Sequence, residues 1–229
     1  MSLTIWTVIF ANQTNAFNYN REQMITYIFL ITVLQGFILT SALHGLANDI
    51  YSGKISQLLL KPMSIFTYLG MYELSDKLLN ISFIAGEMIL LYLLFKPVLT
   101  FPSLFEGIFF LFWLLGGMLL HFIISILFGT IGFWSPDVWG PKFIFFMIVD
   151  FTAGKLFPLD ILPEIIQRVV FLTPFPYLSY AQVQLFLGRL STQEILSHSL
   201  GLTFWILLLG FFAKPIWYKG IKSFAAAGQ

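Results

Sequence analysis

The chain has 229 residues, of which 58% are hydrophobic and only 10% are charged. Soluble domains carry about 25% charged residues, so most of this surface cannot face water. The formal net charge of +1 shows none of the basic excess expected of a nucleic-acid-binding protein. The absence of cysteine excludes disulfides, thiol nucleophiles and cysteine-ligated metals. Composition therefore predicts an all-α integral membrane protein, with membrane lipid as its surroundings.

Apolar segments near the length of a membrane-spanning helix, about 20 residues, follow one another along the chain. We predict five full transmembrane helices at 24–46, 78–95, 108–134, 138–157 and 195–213. The opening segment 3–11 is apolar but too short to cross a bilayer. We interpret it as the end of a truncated first span that begins upstream. Neither an internal repeat nor a soluble domain is evident, so 1–229 is predicted to be a single transmembrane domain.

The distribution of lysine and arginine predicts how the chain crosses the membrane, because cytoplasmic loops carry an excess of these residues. With five alternating spans, one side has seven basic residues: Lys54, Lys61, Lys77, Lys142, Lys214, Lys219 and Lys222. The other side has five, partly offset by acidic residues: Arg21, Lys96, Lys155, Arg168 and Arg189. We therefore expect a multi-pass protein whose C-terminus and loop 48–62 are cytoplasmic, while 154–177 faces outward.

That outward segment, GKLFPLDILPEIIQRVVFLTPFPY, contains four prolines between two apolar runs. Asp160 can cap a helix there, and Pro163 suits its first turn because the missing N–H would be unpaired anyway. One predicted helical face is apolar: Ile161, Leu162, Ile165, Ile166, Val169 and Val170. About ten residues are too few to span a membrane. Two interpretations remain: a re-entrant helix packed on protein, which the prolines and Gly154 favour, or an interfacial helix resting on lipid.

The segment 48–77 joins the first two full spans on the predicted cytoplasmic side. Its SGKIS sequence is not a phosphate loop, because that motif requires Ser or Thr where Ile55 stands. The pattern instead predicts an amphipathic helix with an apolar knob formed by Ile55, Leu58, Leu59 and Pro62. Such a knob, flanked by Lys54 and Lys61, can dock in a groove on a soluble partner. The alternative is a helix lying on the inner leaflet.

Three stretches resemble the ABC-2 type transporter permeases, in particular their viologen-exporter-like subfamily. IYSGKISQLLLKPMS, residues 50–64, is similar to the segment that follows the second span of those proteins. AGKLFPLDILPEIIQRVVFLTPFPYLSYAQVQLFLG, residues 153–188, is similar to their exterior segment before the last span. FWSPDVWGPKF, residues 133–143, is similar to the inner loop before the fifth span. The resemblance runs over nearly the whole chain but lacks most of the first span.

The resemblance implies the permease subunit of an ATP-driven exporter, which forms a translocation path as a dimer with a second copy or a paralogous permease. A separate ABC ATPase subunit would hold ATP and magnesium, so this chain would carry no cofactor and would not itself be an enzyme. The need for ATP implies the plasma (cytoplasmic, inner) membrane. The predicted coupling residues, within 48–77, are Asp49, Tyr51, Gly53, Lys54, Leu58, Leu59, Lys61 and Pro62. The predicted exterior gate, within 154–188, comprises Gly154, Pro158, Leu159, Pro163, Pro174, Phe175, Tyr177 and Gly188.

Ionisable residues inside spans are functional candidates by default. Glu87 lies mid-span and is predicted to face the translocation path and attract a cationic substrate, or else to make a structural hydrogen bond. His121, in GGMLLHF, is a second path candidate, or else it bonds between helices. Asp150 and Lys155 lie five residues apart near the outer end of a span and are expected to pair locally or to reach water rather than to relay protons. The adjacent glycines 116 and 117 predict close helix packing.

Two other kinds of protein fit the same composition. The first is a polytopic membrane enzyme acting on lipids, although H-E-x-x-H is absent and the histidines lie on three different segments. Ser125 and His121 lie a turn apart on one predicted helix, but nothing else completes a catalytic site. The second is a membrane assembly subunit that transports nothing. A permease is expected to lose a soluble partner when Leu58 and Leu59 become charged, whereas an enzyme is expected to need no partner.

Overall fold

The computed structural model describes residues 6, 9–10, 15–16, 19–100, 102–135 and 138–226. A two-residue antiparallel pair, β1 Asn15–Ala16 with β2 Tyr19–Asn20, precedes a series of helices. The α-helices are α1 Arg21–Ile38, α2 Leu46–Tyr51, α3 Ile55–Leu59, α4 Ile65–Phe95, α5 Leu104–Gly129, α6 Trp139–Thr152, α7 Glu164–Phe171, α8 Tyr180–Phe186 and α9 Thr192–Ala226. Short 3₁₀ turns occupy Ala42–Gly45, Thr130–Phe133, Leu159–Ile161 and Phe175–Leu178. The all-α membrane fold predicted from composition is confirmed.

Three helices in the described residues are long and apolar enough to cross a membrane, namely α4, α9 and α5 with its 3₁₀ extension. A fourth candidate is α1 together with Ala42–Tyr51, two parts that meet at an angle of 61°. The span predicted at 24–46 therefore coincides with a broken candidate span, because α1 ends at Ile38 and the next helical turn begins at Ala42. Most of the predicted first span, 3–11, lies outside the described residues.

Two further predicted spans differ in length from the helices that form. The span predicted at 78–95 begins earlier, at Ile65, where the Ser64 hydroxyl accepts from the Thr67 amide as an N-cap. The span predicted at 138–157 is the 14-residue helix α6. It ends early because Gly154, with φ of +79°, turns the chain into the outer segment.

Glycine on α5 brings this helix into close contact with its neighbours, as the pair at 116 and 117 predicted. A Cβ on Gly116 would lie 2.7 Å from the Leu202 side chain on α9. A Cβ on Gly117 would lie 3.2 Å from the Tyr177 carbonyl oxygen. The two glycines thus let α5 pack against α9 on one side and the outer segment on another.

Two buried clusters hold the helices together. The larger one joins α1, α5, α8 and the start of α9 around the fully buried Trp113. The smaller one lies where α2, α3 and α4 meet the 3₁₀ end of α5 and the second half of α9, around Trp217. The first cluster positions the outer segment and the second positions the predicted coupling segment.

Candidate functional site

The predicted coupling segment folds as two short helices rather than one. Helices α2 and α3 are joined by a turn at Gly53, whose φ of +80° favours glycine. Ile50 on α2 and Ile55 on α3 are fully buried in the smaller cluster. Beyond them the chain projects outward, and the Leu60 side chain is 86% exposed. We call the exposed apolar residues of this projection the inner tip: Leu59, Leu60, Pro62 and Met63.

The inner tip differs from the knob predicted from sequence. Ile55 is an anchor rather than a contact surface, and Leu58 is half-buried beside a cavity that Tyr68 and Tyr72 also line. Leu60, which was not part of the predicted knob, is the most exposed leucine of the inner tip. Of the other predicted coupling residues, Tyr51, Lys54, Leu59, Lys61 and Pro62 are exposed, whereas Asp49 and Gly53 are half-buried.

Two lysines stand beside the inner tip. The Lys54 ammonium lies 3.4 Å from an Asp49 carboxylate oxygen, and the two side chains are 71% and 47% exposed. The Lys61 ammonium lies 4.2 Å from the centre of the Tyr68 ring. The inner tip is thus an exposed apolar surface with positive charge at its edge.

The outer segment begins with a turn that is tied to α1 and α8. The Tyr27 hydroxyl donates to the Gly154 carbonyl at 2.7 Å, and the Ser179 hydroxyl donates to the Ala153 carbonyl at 2.7 Å. A Cβ at Gly154 would lie 2.6 Å from the Tyr27 hydroxyl, so only glycine fits this position. The chain therefore turns back toward the protein immediately after α6.

Helix α8 is the enclosed part of the outer segment. Every residue from 180 to 185 is buried. The Gln182 side-chain nitrogen donates to the carbonyls of Trp113 and Tyr177, at 3.0 and 2.7 Å, whereas its Oε1 has no hydrogen-bond partner among the described residues. This packing on protein agrees with the re-entrant interpretation, but α8 fills that place rather than the amphipathic helix expected at 161–170.

Helix α7 instead presents its apolar face outward. Ile165 is 78% exposed and Val169 is 58% exposed, whereas Val170 is buried. Pro163 precedes the first helical residue as the N-cap. Among the other predicted gate residues, Pro158, Leu159, Pro174 and Tyr177 are buried, Phe175 is half-buried and Gly188 is exposed.

Asp160 does not cap α7 but holds a polar cluster together. Its Oδ1 accepts from the Tyr19 hydroxyl at 3.0 Å, and its Oδ2 lies 3.1 Å from an Arg189 guanidinium nitrogen. The Gln184 amide donates to the same Tyr19 hydroxyl at 2.7 Å. Burial, followed by the charge of Asp160, raises the pKa of Tyr19, so the hydroxyl stays protonated as a donor. The cluster joins residues that precede α1 to both ends of the outer segment.

We expect Asp160→Asn to lower the free energy of unfolding by about 1–3 kcal/mol, because hydrogen bonds to a charged group are lost in a half-buried site. The measurement is the thermal unfolding midpoint of the purified protein in detergent. Asp49→Asn is the control, because its partner Lys54 is exposed and surface pairs contribute little. An equal shift in the two variants would contradict a structural role for the Asp160 cluster.

The two predicted path candidates are not in one site. Glu87 is exposed on α4. It does not line the cavity beside Leu58, and it lines neither the inner cavity nor the apolar groove described below. His121 on α5 is 2% exposed and lines a cavity of about 110 Å³, which we call the inner cavity. The polar residues around the inner cavity are His44, Asn48, His121, Ser125 and Lys142.

Asp150 and Lys155 form the local ion pair that was expected. The Lys155 ammonium lies 2.8 Å from Asp150 Oδ1, with the carboxylate mostly buried. The pair joins the end of α6 to the start of the outer segment.

A buried ion pair at the break after α1 was not predicted. Glu73 and Lys77 lie one turn apart on α4, at 3.4 Å, with side chains only 5% and 7% exposed. The Lys77 ammonium donates to three carbonyls at the end of α1, those of Phe37, Ile38 and Thr40, at 2.9, 3.3 and 2.8 Å. Glu73 Oε2 accepts from the Ser41 hydroxyl at 2.8 Å and from the Ala42 amide at 3.1 Å. Together they satisfy the backbone groups that the break leaves unpaired.

We call Glu73 and Lys77, with the backbone groups they bind at the break, the clamp. The sequence contains one signal of the clamp, the i,i+4 spacing of Glu73 and Lys77. The charge-distribution argument counted Lys77 as a cytoplasmic loop residue, and this placement is wrong because α4 already begins at Ile65. With Lys77 inside a helix, the predicted cytoplasmic side keeps its other six basic residues.

These features define a polytopic α-helical membrane protein with one broken helix and an enclosed outer segment. A family model for the ABC-2 family transporter protein matches residues 1–228. The chain therefore belongs to the ABC-2 transporter family, whose members are membrane components of transport systems, and the resemblance inferred from three short stretches is confirmed. A comparison with characterised proteins gave no match.

Proposed function

We propose that this chain is the permease subunit of an ATP-driven ABC exporter in the plasma membrane, coupled to a separate ATPase subunit through its inner tip. The observation that carries the proposal is the exposure of Leu60, at 86%, next to the fully buried Ile50 and Ile55. An exposed leucine on a firmly anchored segment is suited to docking in a groove of a soluble protein. The predicted cytoplasmic location of 48–62 would place it where such an ATPase is found.

The buried contacts of the coupling segment suggest how motion of the ATPase would reach the membrane-spanning helices. Helix α2 packs against the 3₁₀ end of α5, where a Cβ on Gly132 would overlap the Ala47 carbonyl. Trp217 of α9 is fully buried in the same cluster. A push on the inner tip would therefore move α5 and α9 with it as a rigid body.

The proposal includes a dimer, formed with a second copy or a paralogous permease, and a path between the two chains. Large apolar surfaces remain exposed on α4 and α7, and lipid or another chain must cover them. The outer segment, enclosed at α8 and exposed at α7, would close the external end of the path. ATP and magnesium would be held by the ATPase, and the chain itself would need no cofactor.

Replacing Leu60 by aspartate tests the proposal. The tagged chain is purified in detergent from cells that also express the genes adjacent to its own, and the recovered proteins are identified by mass spectrometry. We expect the wild type to recover an ATPase with a phosphate-binding loop, and Leu60→Asp to recover at least about tenfold less. The physical reason is that a charge in an apolar groove is desolvated without a partner.

Leu172→Asp is the matched control, because Leu172 is 76% exposed but lies at the end of α7 in the outer segment. This variant is expected to recover the ATPase as the wild type does. Recovery of no ATPase with the wild type would overturn the proposal and favour a lipid-modifying enzyme or an assembly subunit. Equal losses in the two leucine variants would show that the inner tip is not the docking site.

A further inference from the structure

One residue that lines the inner cavity, His121, has a buried ring nitrogen without a hydrogen-bond partner among the described residues. His121 Nδ1 has no hydrogen-bond partner among the described residues, although the side chain is only 2% exposed. An unpaired buried nitrogen costs free energy, and most buried polar side-chain atoms in native proteins are paired. His121 lies on α5, and the residue itself lines the inner cavity.

Lys142 contributes a positive charge to the same cavity. Its ammonium donates to the His44 carbonyl at 2.7 Å, at the end of a 3₁₀ turn. An ammonium has three donors, and in the part of the chain that the structure describes no carboxylate pairs with this one. The described lining includes no acidic side chain. Charge and donors together favour an anionic group in the inner cavity.

An apolar groove lies next to the inner cavity and shares Phe128 and Phe145 with it. The groove, of about 770 Å³, runs between α5 and α6 and reaches Pro174 and Phe175 of the outer segment. Its described lining contains no charged residue. A cationic cavity beside such a groove, with only the packed rings of Phe128 and Phe145 between them, matches a molecule with an acidic head and an apolar tail.

We propose that the inner cavity and the groove together bind an anionic amphiphile, with its carboxylate or phosphate head at Lys142 and His121 and its tail along Phe128 and Phe145. As the substrate class of the transporter, this inference rests on the proposed function. As a binding site, it is independent of any ATPase. It also differs from the cationic substrate that Glu87 suggested, because Glu87 lines neither the cavity nor the groove.

Photolabelling tests the site directly. The purified chain in lipid nanodiscs is irradiated with dodecanoic acid that carries a diazirine on its tail, and labelled peptides are identified by mass spectrometry. We expect labelling in the groove at α6, around Ile144 and Ile148. The corresponding diazirine alcohol, which lacks the charge, and a diazirine dodecyl phosphate are run in parallel. Acid and phosphate are both expected to label at least about tenfold more than the alcohol, because charge-assisted hydrogen bonds hold the head.

Variants of Lys142 distinguish binding of the acidic head in the inner cavity, which we call the head site, from general contact of the groove with lipid. Lys142→Met is expected to lower groove labelling by the acid about tenfold, whereas Lys142→Arg keeps the charge and most of the labelling. Lys219→Met, at an exposed position on α9, is the matched control and is expected to label as the wild type. Size-exclusion profiles show which variants remain folded, and Lys142→Arg keeps the test informative if Lys142→Met does not fold.

Three results would overturn the inference. Equal labelling by acid and alcohol would show that the groove is only a lipid-facing surface. Unchanged labelling of folded Lys142→Met would exclude the head site. Groove labelling lost in a dimeric fraction but present in a monomeric one would show that a second copy covers the groove. None of these results depends on recovery of an ATPase, so failure of this proposal and failure of the proposed function are distinguishable.

Discussion

Replacing Lys77 by methionine is expected to lower the free energy of unfolding by about 3–5 kcal/mol, the cost of breaking a buried ion pair from one side. The substitution leaves the Glu73 carboxylate buried without its countercharge. It also removes the donor to three carbonyls at the end of α1. We therefore expect little folded protein after extraction and a thermal midpoint far below that of the wild type.

The exposed pair Glu164 and Arg168 is the matched control, because it has the same i,i+4 spacing but side chains 84% and 81% exposed. Arg168→Met is expected to change the thermal midpoint little. The double variant Glu73→Gln with Lys77→Met removes both charges and is expected to regain part of the loss. A wild-type midpoint for Lys77→Met alone would show that the clamp contributes nothing to the fold.

Replacing Gly132 by alanine is expected to displace the coupling segment from the end of α5. The new Cβ would overlap the Ala47 carbonyl, which is backbone and cannot rotate away. Overpacking of this kind costs about 1–3 kcal/mol. We expect a lower thermal midpoint together with reduced recovery of the ATPase, since the inner tip would no longer be held in place.

Gly86→Ala on α4 serves as the comparison, because a Cβ there meets nothing within 4 Å. In a helix interior, alanine is favoured over glycine by about 1 kcal/mol, so this variant is expected to be as stable as the wild type or more so. If Gly132→Ala behaved like Gly86→Ala, the close contact between α2 and the end of α5 would not matter to stability or coupling.

The existence of the long helices was predictable from the sequence, whereas their ends and breaks were not. A run of apolar residues without charge, as at 24–46, satisfies every local criterion of a span. The break inside it depends on Glu73 and Lys77, which are distant in sequence and come close only after folding. The same two charges made the first part of α4 look like a loop, because their burial as a pair cannot be seen in a sequence window.

In the outer segment, too, the features that depend on neighbouring residues were predictable, whereas those that depend on distant residues were not. Its prolines and Gly154 predicted an irregular element packed on protein, and these features are local. The buried helix α8 was not predicted, because its Gln182 and Gln184 indicate a polar, exposed helix. Their partners, the Trp113 carbonyl and the Tyr19 hydroxyl, lie on distant parts of the chain. Of the inner tip, the sequence predicted Leu59 and Pro62 but not Leu60 and Met63, and it placed the buried Ile55 on the contact surface.

The clamp at the break has a mechanical consequence. The carbonyl end of α1 carries partial negative charge and meets the Lys77 ammonium, while the amide end of the next 3₁₀ turn carries partial positive charge and meets the Glu73 carboxylate. Straightening the break would pull both charges off their partners in surroundings of low polarity. The hydrogen bonds to Glu73 and Lys77 therefore hold the angle between α1 and the next 3₁₀ turn, and changing that angle would cost free energy.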